Sequence, residues 1–216
     1  MNVEIARRQM IEQQVRAWEV LDERVLGALA QVRRELFVPD AYRELAFADT
    51  QVPIGHGQVM LTPKVEGRFL QALELDPADE ALEIGTGSGF FAACLARLGG
   101  SVRSLEILAD LCEFAKENLR ASGIGGVQIE TQDAMTLDES RRYDAIAVTG
   151  SLPIYDRRFE RALKIGGRLV VVVGDSPVME ARLIRRASET QWTQESLFET
   201  VIEPLVNAPQ PTRFLF

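Results

Sequence analysis

The stretch Leu82-Glu83-Ile84-Gly85-Thr86-Gly87-Ser88-Gly89 decides the fold of this chain of 216 residues. An apolar run ends at Ile84, glycines then alternate with small hydroxyl residues, and a second apolar run begins at Phe90, which predicts a strand, a tight turn and a helix. Glycine lets the backbone turn sharply and approach a ligand that a Cβ atom would displace. In open α/β sheets, ligands bind past the carboxyl ends of the strands, where a helix N-terminus faces them. The stretch therefore predicts a ligand-binding α/β sheet.

Strands and helices alternate along the chain around and beyond this turn. The predicted strands are Ala81–Ile84, Ser101–Leu105, Val127–Glu130, Tyr143–Val148 and Arg168–Val173. The predicted helices between them are Phe90–Leu98, Leu108–Ala121 and one near Asp156–Leu163. Right-handed crossovers between such strands give a mostly parallel sheet covered on both faces. The expected fold is therefore α/β, a doubly wound Rossmann-like sheet.

The two ends of the chain follow other patterns. Near the N-terminus we predict helices at Ile5–Trp18, after an N-cap at Asp22, and from Thr62-Pro63 through Leu73, with a loop at Ala48–Met60. Near the C-terminus we predict antiparallel edge strands at Met179–Ala187 and Thr193–Ile202 and an extended tail, Asn207–Phe216. Residues 1–75 are thus interpreted as N-terminal helices with a substrate-side loop, and 76–216 as the Rossmann-like domain with its C-terminal strands and tail. We expect the two to form one compact unit.

Composition argues against several classes of protein. The formal net charge of -8 repels polyanions, so nucleic acid is not an expected partner. The apolar run Leu169–Val173 is far shorter than the roughly 20 residues of a membrane-spanning helix, and the N-terminus lacks the apolar core of a secretory signal. Only Cys94, Cys112 and His56 offer thiol or imidazole ligands, so we expect neither a disulfide nor a metal site. The expected compartment is the cytoplasm, and the oligomeric state is left open.

The spacing of the glycines distinguishes between cofactors. A dinucleotide fingerprint has glycine at its first, third and sixth positions, which here are Gly85, Gly87 and Phe90. The third glycine stands instead at the fifth position, and this GxGxG loop resembles the S-adenosylmethionine (SAM) loop of class I methyltransferases. The resemblance implies that SAM is bound by Glu83, Gly85, Thr86, Gly87, Ser88, Gly89, Glu106, Ile107, Asp133 and Ala134.

Two acidic residues of this set have expected partners. Glu106 follows the second strand of the sheet, where a carboxylate can accept hydrogen bonds from both ribose hydroxyls. The resemblance places Asp133 at the adenine amino group, although a role as a simple turn or cap residue stays open.

Over nearly the whole chain, the sequence resembles the protein-L-isoaspartate O-methyltransferase family. Similar segments include Met10–Val15, Leu36–Pro39 and, most specifically, Asp49–Gln58. The family then typically carries Thr-Ile-Ser, any residue and Pro, whereas this chain has Val59-Met60-Leu61-Thr62-Pro63. The family serine, which the resemblance assigns to orienting the substrate carboxylate, is Leu61 here.

This departure leaves three functions open. The first is methylation of L-isoaspartyl residues in damaged proteins or peptides, with Thr62 and Gln58 as candidate catalytic residues; Thr62 is alternatively a plain N-cap. The second is SAM-dependent methylation of another acceptor, with Leu61 selecting a less polar group. The third is a SAM-binding protein without turnover. A nucleotide-dependent oxidoreductase is disfavoured by Phe90, and His56 is either a base or an ordinary loop residue.

Overall fold

The N-terminal part of the structure, a computed structural model that describes residues 2–212, consists of short helices and one hairpin. Its elements are α1 (Val3–Met10), α2 (Glu23–Gln31), β1 (Val52–Gly55), β2 (Gln58–Met60) and α3 (Pro63–Leu73). The predicted helix Ile5–Trp18 is regular only to Met10 and continues as a π turn and a 3₁₀ turn. The predicted cap at Asp22 is present, since its carboxylate accepts the Arg24 N–H at 2.8 Å.

The prediction of a plain loop at Ala48–Met60 was wrong in its second half. Residues 52–60 form an antiparallel hairpin in which Val52 pairs with Met60 and Pro53 with Val59. His56 at its tip has φ of 53°, between two glycines that also have positive φ. The segment is rich in glycine, proline and glutamine, which are turn-forming or weakly strand-forming residues. Its composition therefore did not predict the two strands, of four and three residues, that it forms.

The rest of the described chain forms a seven-stranded sheet with helices on its faces. The strands are β3 (Glu80–Ile84), β4 (Ser101–Glu106), β5 (Val127–Thr131), β6 (Tyr143–Leu152), β7 (Leu163–Asp175), β8 (Val178–Arg186) and β9 (Trp192–Glu199). The helices are α4 (Phe90–Leu98), α5 (Ala109–Ser122) and the short α6 (Arg158–Ala162).

The strand order of this sheet is β5-β4-β3-β6-β7-β8-β9. The pairs from β5 to β7 are parallel, and β8 and β9 add antiparallel strands at one edge. The strand order reverses its direction between β3 and β6, which is the position where doubly wound folds bind ligands. The predicted fold class is confirmed, including the antiparallel edge. Of the tail predicted to be extended, residues 213–216 lie outside the described residues.

Two apolar clusters pack on opposite faces of the sheet. Along β7, Val170 and Val172 belong to one cluster while Leu169 and Val171 belong to the other, because successive side chains of a strand point to opposite faces. The first cluster also includes residues of the N-terminal helices, such as Leu29. The division of the chain at residue 75 stays a prediction. Within residues 2–212, no helix has both the length and the apolar character needed to span a membrane.

Candidate active site

The turn from β3 into α4 is built on glycines with positive φ. Gly85, Gly87 and Gly89 have φ of 91°, 53° and 84°, a region in which residues with a Cβ atom are strained. Space is also short, since a Cβ at Gly85 would lie 2.6 Å from Thr149 Oγ1 and one at Gly89 would lie 3.1 Å from the Ala115 Cβ. The loop therefore packs tightly between β6 and α5.

A cavity that is partly open to solvent lies beside this loop, at the carboxyl ends of β3, β4 and β6. Of the residues predicted to bind SAM, Gly85, Gly87, Glu106, Ile107, Asp133 and Ala134 line it. The hairpin closes one side, and a C-terminal segment, residues 202–207, contributes to another with Ile202, Glu203, Leu205 and Val206.

A second, smaller cavity lies between the glycine loop and the end of the hairpin. Among the predicted cofactor residues, Glu83, Gly85, Thr86, Gly87 and Ser88 line it. Gly89 lines neither cavity and instead stands at the start of α4, so its contribution is to the turn itself. The structure thus brings the predicted residues together around one loop, and their contacts with a cofactor stay a prediction.

The Glu106 carboxylate is held rigidly at the edge of the larger cavity. Its Oε2 accepts the Gly87 N–H at 2.9 Å, its Oε1 accepts the Leu108 N–H at 3.0 Å, and the residue is 5% exposed. Each carboxylate oxygen has a second lone pair. The group can therefore still accept hydrogen bonds from a ligand's hydroxyls, as a ribose would require.

Asp133 has the predicted cap role and also lines the larger cavity, while its contact with adenine stays a prediction. Its Oδ1 accepts the Met135 N–H at 2.8 Å and so caps a 3₁₀ turn, while the residue also lines the larger cavity. Its Oδ2 accepts a hydrogen bond of 2.9 Å from the Asn207 amide, which ties the C-terminal segment to the site.

Glu83 is an unusual carboxyl group because it is fully buried and only half satisfied. Its Oε2 accepts the Ser104 hydroxyl, and Ser104 in turn lies 2.5 Å from Thr86 Oγ1. Its Oε1 has no hydrogen-bond partner within the described structure. A buried, unpaired carboxyl oxygen in the wall of a cavity fits a cationic group such as the ammonium of SAM. The residues present therefore fit this cofactor at both its sugar and its amino-acid ends.

The buried Glu83 predicts an inverted pH dependence of stability. Burial raises the pKa of its carboxyl from 4.5 to about 8, with the Glu106 charge adding to the rise and Ser104 opposing it. Between these values the folded chain keeps a proton that the unfolded chain releases, so the free energy of unfolding falls as pH rises. We expect a loss of about 2 kcal/mol between pH 6 and pH 8, measurable by urea denaturation without cofactor.

Glu83→Gln is the control for this prediction, because glutamine keeps the shape of the protonated carboxyl and cannot ionise. The decrease in stability between the two pH values should be smaller in the variant by about the same 2 kcal/mol. A decrease as steep as that of the unchanged protein would show that another group is responsible.

The candidate catalytic residues at the end of the hairpin are placed differently from one another. Gln58 and Leu61 line the larger cavity, and Leu61 lines the smaller one as well. Thr62 lines neither. It stands at the predicted N-cap position of α3, and the helix begins with Pro63, whose fixed φ favours the first turn. The Thr62 hydroxyl makes no capping hydrogen bond and is buried without a partner among the described residues. A catalytic role of Thr62 or Gln58 stays a prediction.

Arg34 was not identified from the sequence, yet it fixes the backbone at Leu61. Its guanidinium is 1% exposed, donates to the Leu61 carbonyl at 2.7 Å and forms an ion pair with Glu66. It also lies 4.7 Å from the centre of the Phe90 ring, at the start of α4. One sequence signal for this cluster existed: Glu66 is four residues before Leu70, on the apolar face of α3.

The C-terminal segment was also missed as part of the site. The Ser151 N–H donates to the Glu203 carbonyl at 2.8 Å, and the Leu205 N–H donates to the Ser151 carbonyl at 2.9 Å. These hydrogen bonds hold the C-terminal segment against the end of β6, although the two are far apart in the sequence. His56, by contrast, lines neither cavity, and its Nε2 lies 3.1 Å from the exposed Asp110 carboxylate at the start of α5.

Comparison with known proteins gives one consistent family. Residues 5–210 match the family model of protein-L-isoaspartate(D-aspartate) O-methyltransferase. The chain is 38% identical over 209 residues to protein-L-isoaspartate O-methyltransferase 2 of Pelobacter propionicus, covering 96% of this chain and 93% of the relative. It is 36% identical to protein-L-isoaspartate O-methyltransferase of Aeropyrum pernix, covering 93% and 79%.

A solved structure shows the same fold. It comes from Plasmodium falciparum and is described as a protein-L-isoaspartate O-methyltransferase in complex with S-adenosyl-L-homocysteine. Its TM-score is 0.79 at 21% identity, and the match covers 95% of this chain and 98% of that one.

Proposed function

Because this chain belongs to the protein-L-isoaspartate(D-aspartate) O-methyltransferase family, we propose that it methylates the free carboxylate of L-isoaspartyl residues in proteins or peptides, with SAM as methyl donor. The observation that carries the proposal is the single cavity that joins the Gly85–Gly89 loop and Glu106 to the hairpin at Gln58 and Leu61. A cofactor bound at one wall of this cavity and an acceptor bound at the other would lie side by side.

The cofactor roles proposed for this chain follow from the contacts around the loop. Glu106 accepts the ribose hydroxyls with its remaining lone pairs, Asp133 lies at the adenine, and Glu83 receives the ammonium group. When bound, SAM supplies an electrophilic methyl group on a sulfonium, which an ionised carboxylate oxygen attacks in line. No proton has to leave that oxygen, so the protein needs no strong base at this position.

The acceptor side is proposed to act by positioning and by excluding water. Ile54, Val59, Leu61 and Leu205 provide apolar surface in the cavity. A carboxylate stripped of water in such surroundings reacts more readily with a cation than one in bulk water. Gln58 is the polar side chain of the hairpin that lines the larger cavity, and we propose that its amide donates to the acceptor carboxylate.

A second candidate function is SAM-dependent methylation of a less polar acceptor. It is favoured by Leu61, an apolar side chain that lines both cavities where the family typically has a serine. For either function, the proposed compartment is the cytoplasm, which agrees with two buried cysteines that form no disulfide.

The experiment that tests the proposal is methyl transfer from radiolabelled SAM to an isoaspartyl peptide and to its aspartyl twin. Calorimetry with S-adenosylhomocysteine on the same preparation measures cofactor binding separately. We expect transfer to the isoaspartyl peptide and none to the twin. Cofactor binding without transfer to either peptide would reject isoaspartyl methylation and leave methylation of another acceptor or SAM binding without turnover.

A further inference from the structure

The walls of the two cavities are acidic. None of the described residues that line them is lysine, arginine or histidine, while five are aspartate or glutamate: Glu66, Glu83, Glu106, Asp133 and Glu203. The proposed acceptor is itself an anion. A carboxylate that enters this site therefore gains no ion pair from the walls, and the net charge of -8 opposes its approach.

Glu203 is the one member of this set that is both exposed and unpaired. Glu66 is bound to Arg34, Glu83 is buried against Ser104, and Glu106 and Asp133 each accept backbone N–H groups. The Glu203 side chain is exposed and makes no hydrogen bond or ion pair within residues 2–212. Its carboxylate is therefore available to a group that arrives from solution.

The position of Glu203 at the cavity is fixed by its backbone. Its carbonyl accepts the Ser151 N–H at 2.8 Å, and the neighbouring Ile202 carbonyl accepts the Ser151 hydroxyl at 3.1 Å. Ile202 is itself buried at 4% exposure. The charge of Glu203 is thus held at the rim, beside the end of β6 and not on a free tail.

From this arrangement we infer that Glu203 is a specificity-determining residue: it favours acceptors that carry a cationic side chain next to the methylated residue and disfavours those that carry an acidic one. The inference rests on the proposed function. A neighbouring lysine or arginine would pair with Glu203 and supply the positive charge that the cavity walls lack. A neighbouring glutamate would add a second repulsion to that of the acceptor carboxylate.

The size of the effect follows from the distance and the solvent. Two unit charges a few ångströms apart at a hydrated surface change an association constant by a few-fold. A lysine neighbour gains this factor by attraction to Glu203 and a glutamate neighbour loses it by repulsion, so the factor counts twice when the two peptides are compared. We therefore expect about a tenfold preference for the cationic neighbour at low ionic strength. The preference should shrink at high salt, because exposed charges are screened.

The test uses three isoaspartyl peptides that differ only in the residue after the isoaspartyl: lysine, glutamine or glutamate. For the unchanged protein, kcat/KM should be about tenfold higher for the lysine peptide than for the glutamate peptide. In Glu203→Gln the ratio should fall to about twofold. Glu195→Gln, on the exposed surface of β9 and away from both cavities, removes the same net charge and should keep the original ratio.

Two results would overturn the inference alone, while isoaspartyl methylation itself remained supported. One is a ratio in Glu203→Gln equal to that of the unchanged protein. The other is an equal collapse in Glu195→Gln, which would assign the preference to the overall charge of the chain. Failure of the unchanged protein to methylate any of the three peptides would overturn both the inference and the proposed function.

Discussion

Glu106→Ala should weaken binding of S-adenosylhomocysteine by about a hundredfold or more. Hydrogen bonds to a charged acceptor contribute about 1.5–3 kcal/mol each, and the proposed ribose contact uses two of them. The Glu106 carboxylate also accepts the Gly87 and Leu108 N–H groups and so fixes the loop before any ligand binds. The change to alanine removes these two hydrogen bonds as well. Calorimetry measures the dissociation constant, and kcat/KM for methyl transfer should fall in parallel.

Two further variants separate a loss of ligand contact from a loss of fold. Glu106→Gln keeps one acceptor oxygen and should show an intermediate loss of affinity. Glu80→Ala removes a partly exposed carboxylate at the opposite end of the same sheet and should bind the cofactor like the unchanged protein. If Glu106→Ala melts like the unchanged protein and binds with unchanged affinity, the proposed role of Glu106 is wrong.

Leu61→Ser should increase kcat/KM for an isoaspartyl peptide by about tenfold or more. A hydroxyl at this position could donate to the acceptor carboxylate, and a hydrogen bond to a charged group contributes about 1.5–3 kcal/mol. The substitution should leave the backbone at this position in place, because Arg34 donates a hydrogen bond to the carbonyl of Leu61 and this contact does not depend on the side chain. The measurement is the initial rate of methyl transfer over a range of peptide concentrations.

The same substitution has a predicted cost in stability. Leu61 is 6% exposed, and replacing a buried leucine by a small residue typically costs 2–5 kcal/mol, so we expect a loss of about 2 kcal/mol beside an existing cavity. Leu61→Ala is the matched control, since it opens the same space without a hydroxyl. If serine raises kcat/KM no more than alanine does, the gain comes from space, and a hydroxyl at this position is not used.

The effects of Leu61 and Glu203 concern different parts of the substrate and can be measured independently. Leu61 lines the cavity beside the glycine loop, whereas Glu203 stands at its rim. A change at Leu61 should alter the rate for all isoaspartyl peptides alike, and a change at Glu203 should alter the ratio between them.

The sequence by itself determined the strand, turn and helix around Gly85–Gly89, because that pattern is local. Positive φ at alternate positions requires glycine, and the apolar runs on both sides have the lengths of a buried strand and a helix. It also predicted the parallel sheet and its antiparallel edge, because the β-like and helix-like segments alternate until Asp175 and two β-like segments follow directly. Glu106 and Asp133 could be identified as candidates because Glu106 ends one strand of that sheet and Asp133 follows the next.

Only the tertiary structure decided how distant segments complete the site. The hairpin at 52–60 has a loop-like composition and is stabilised by packing against the glycine loop, where a Cβ at Gly87 would lie 3.1 Å from Ile54 Cδ1. Arg34 meets Glu66 and Leu61 across 32 and 27 residues, and Ser151 pairs with Glu203 across a longer gap in the chain. Such contacts depend on which buried polar groups find partners once the chain has collapsed, and no short window of sequence contains both partners.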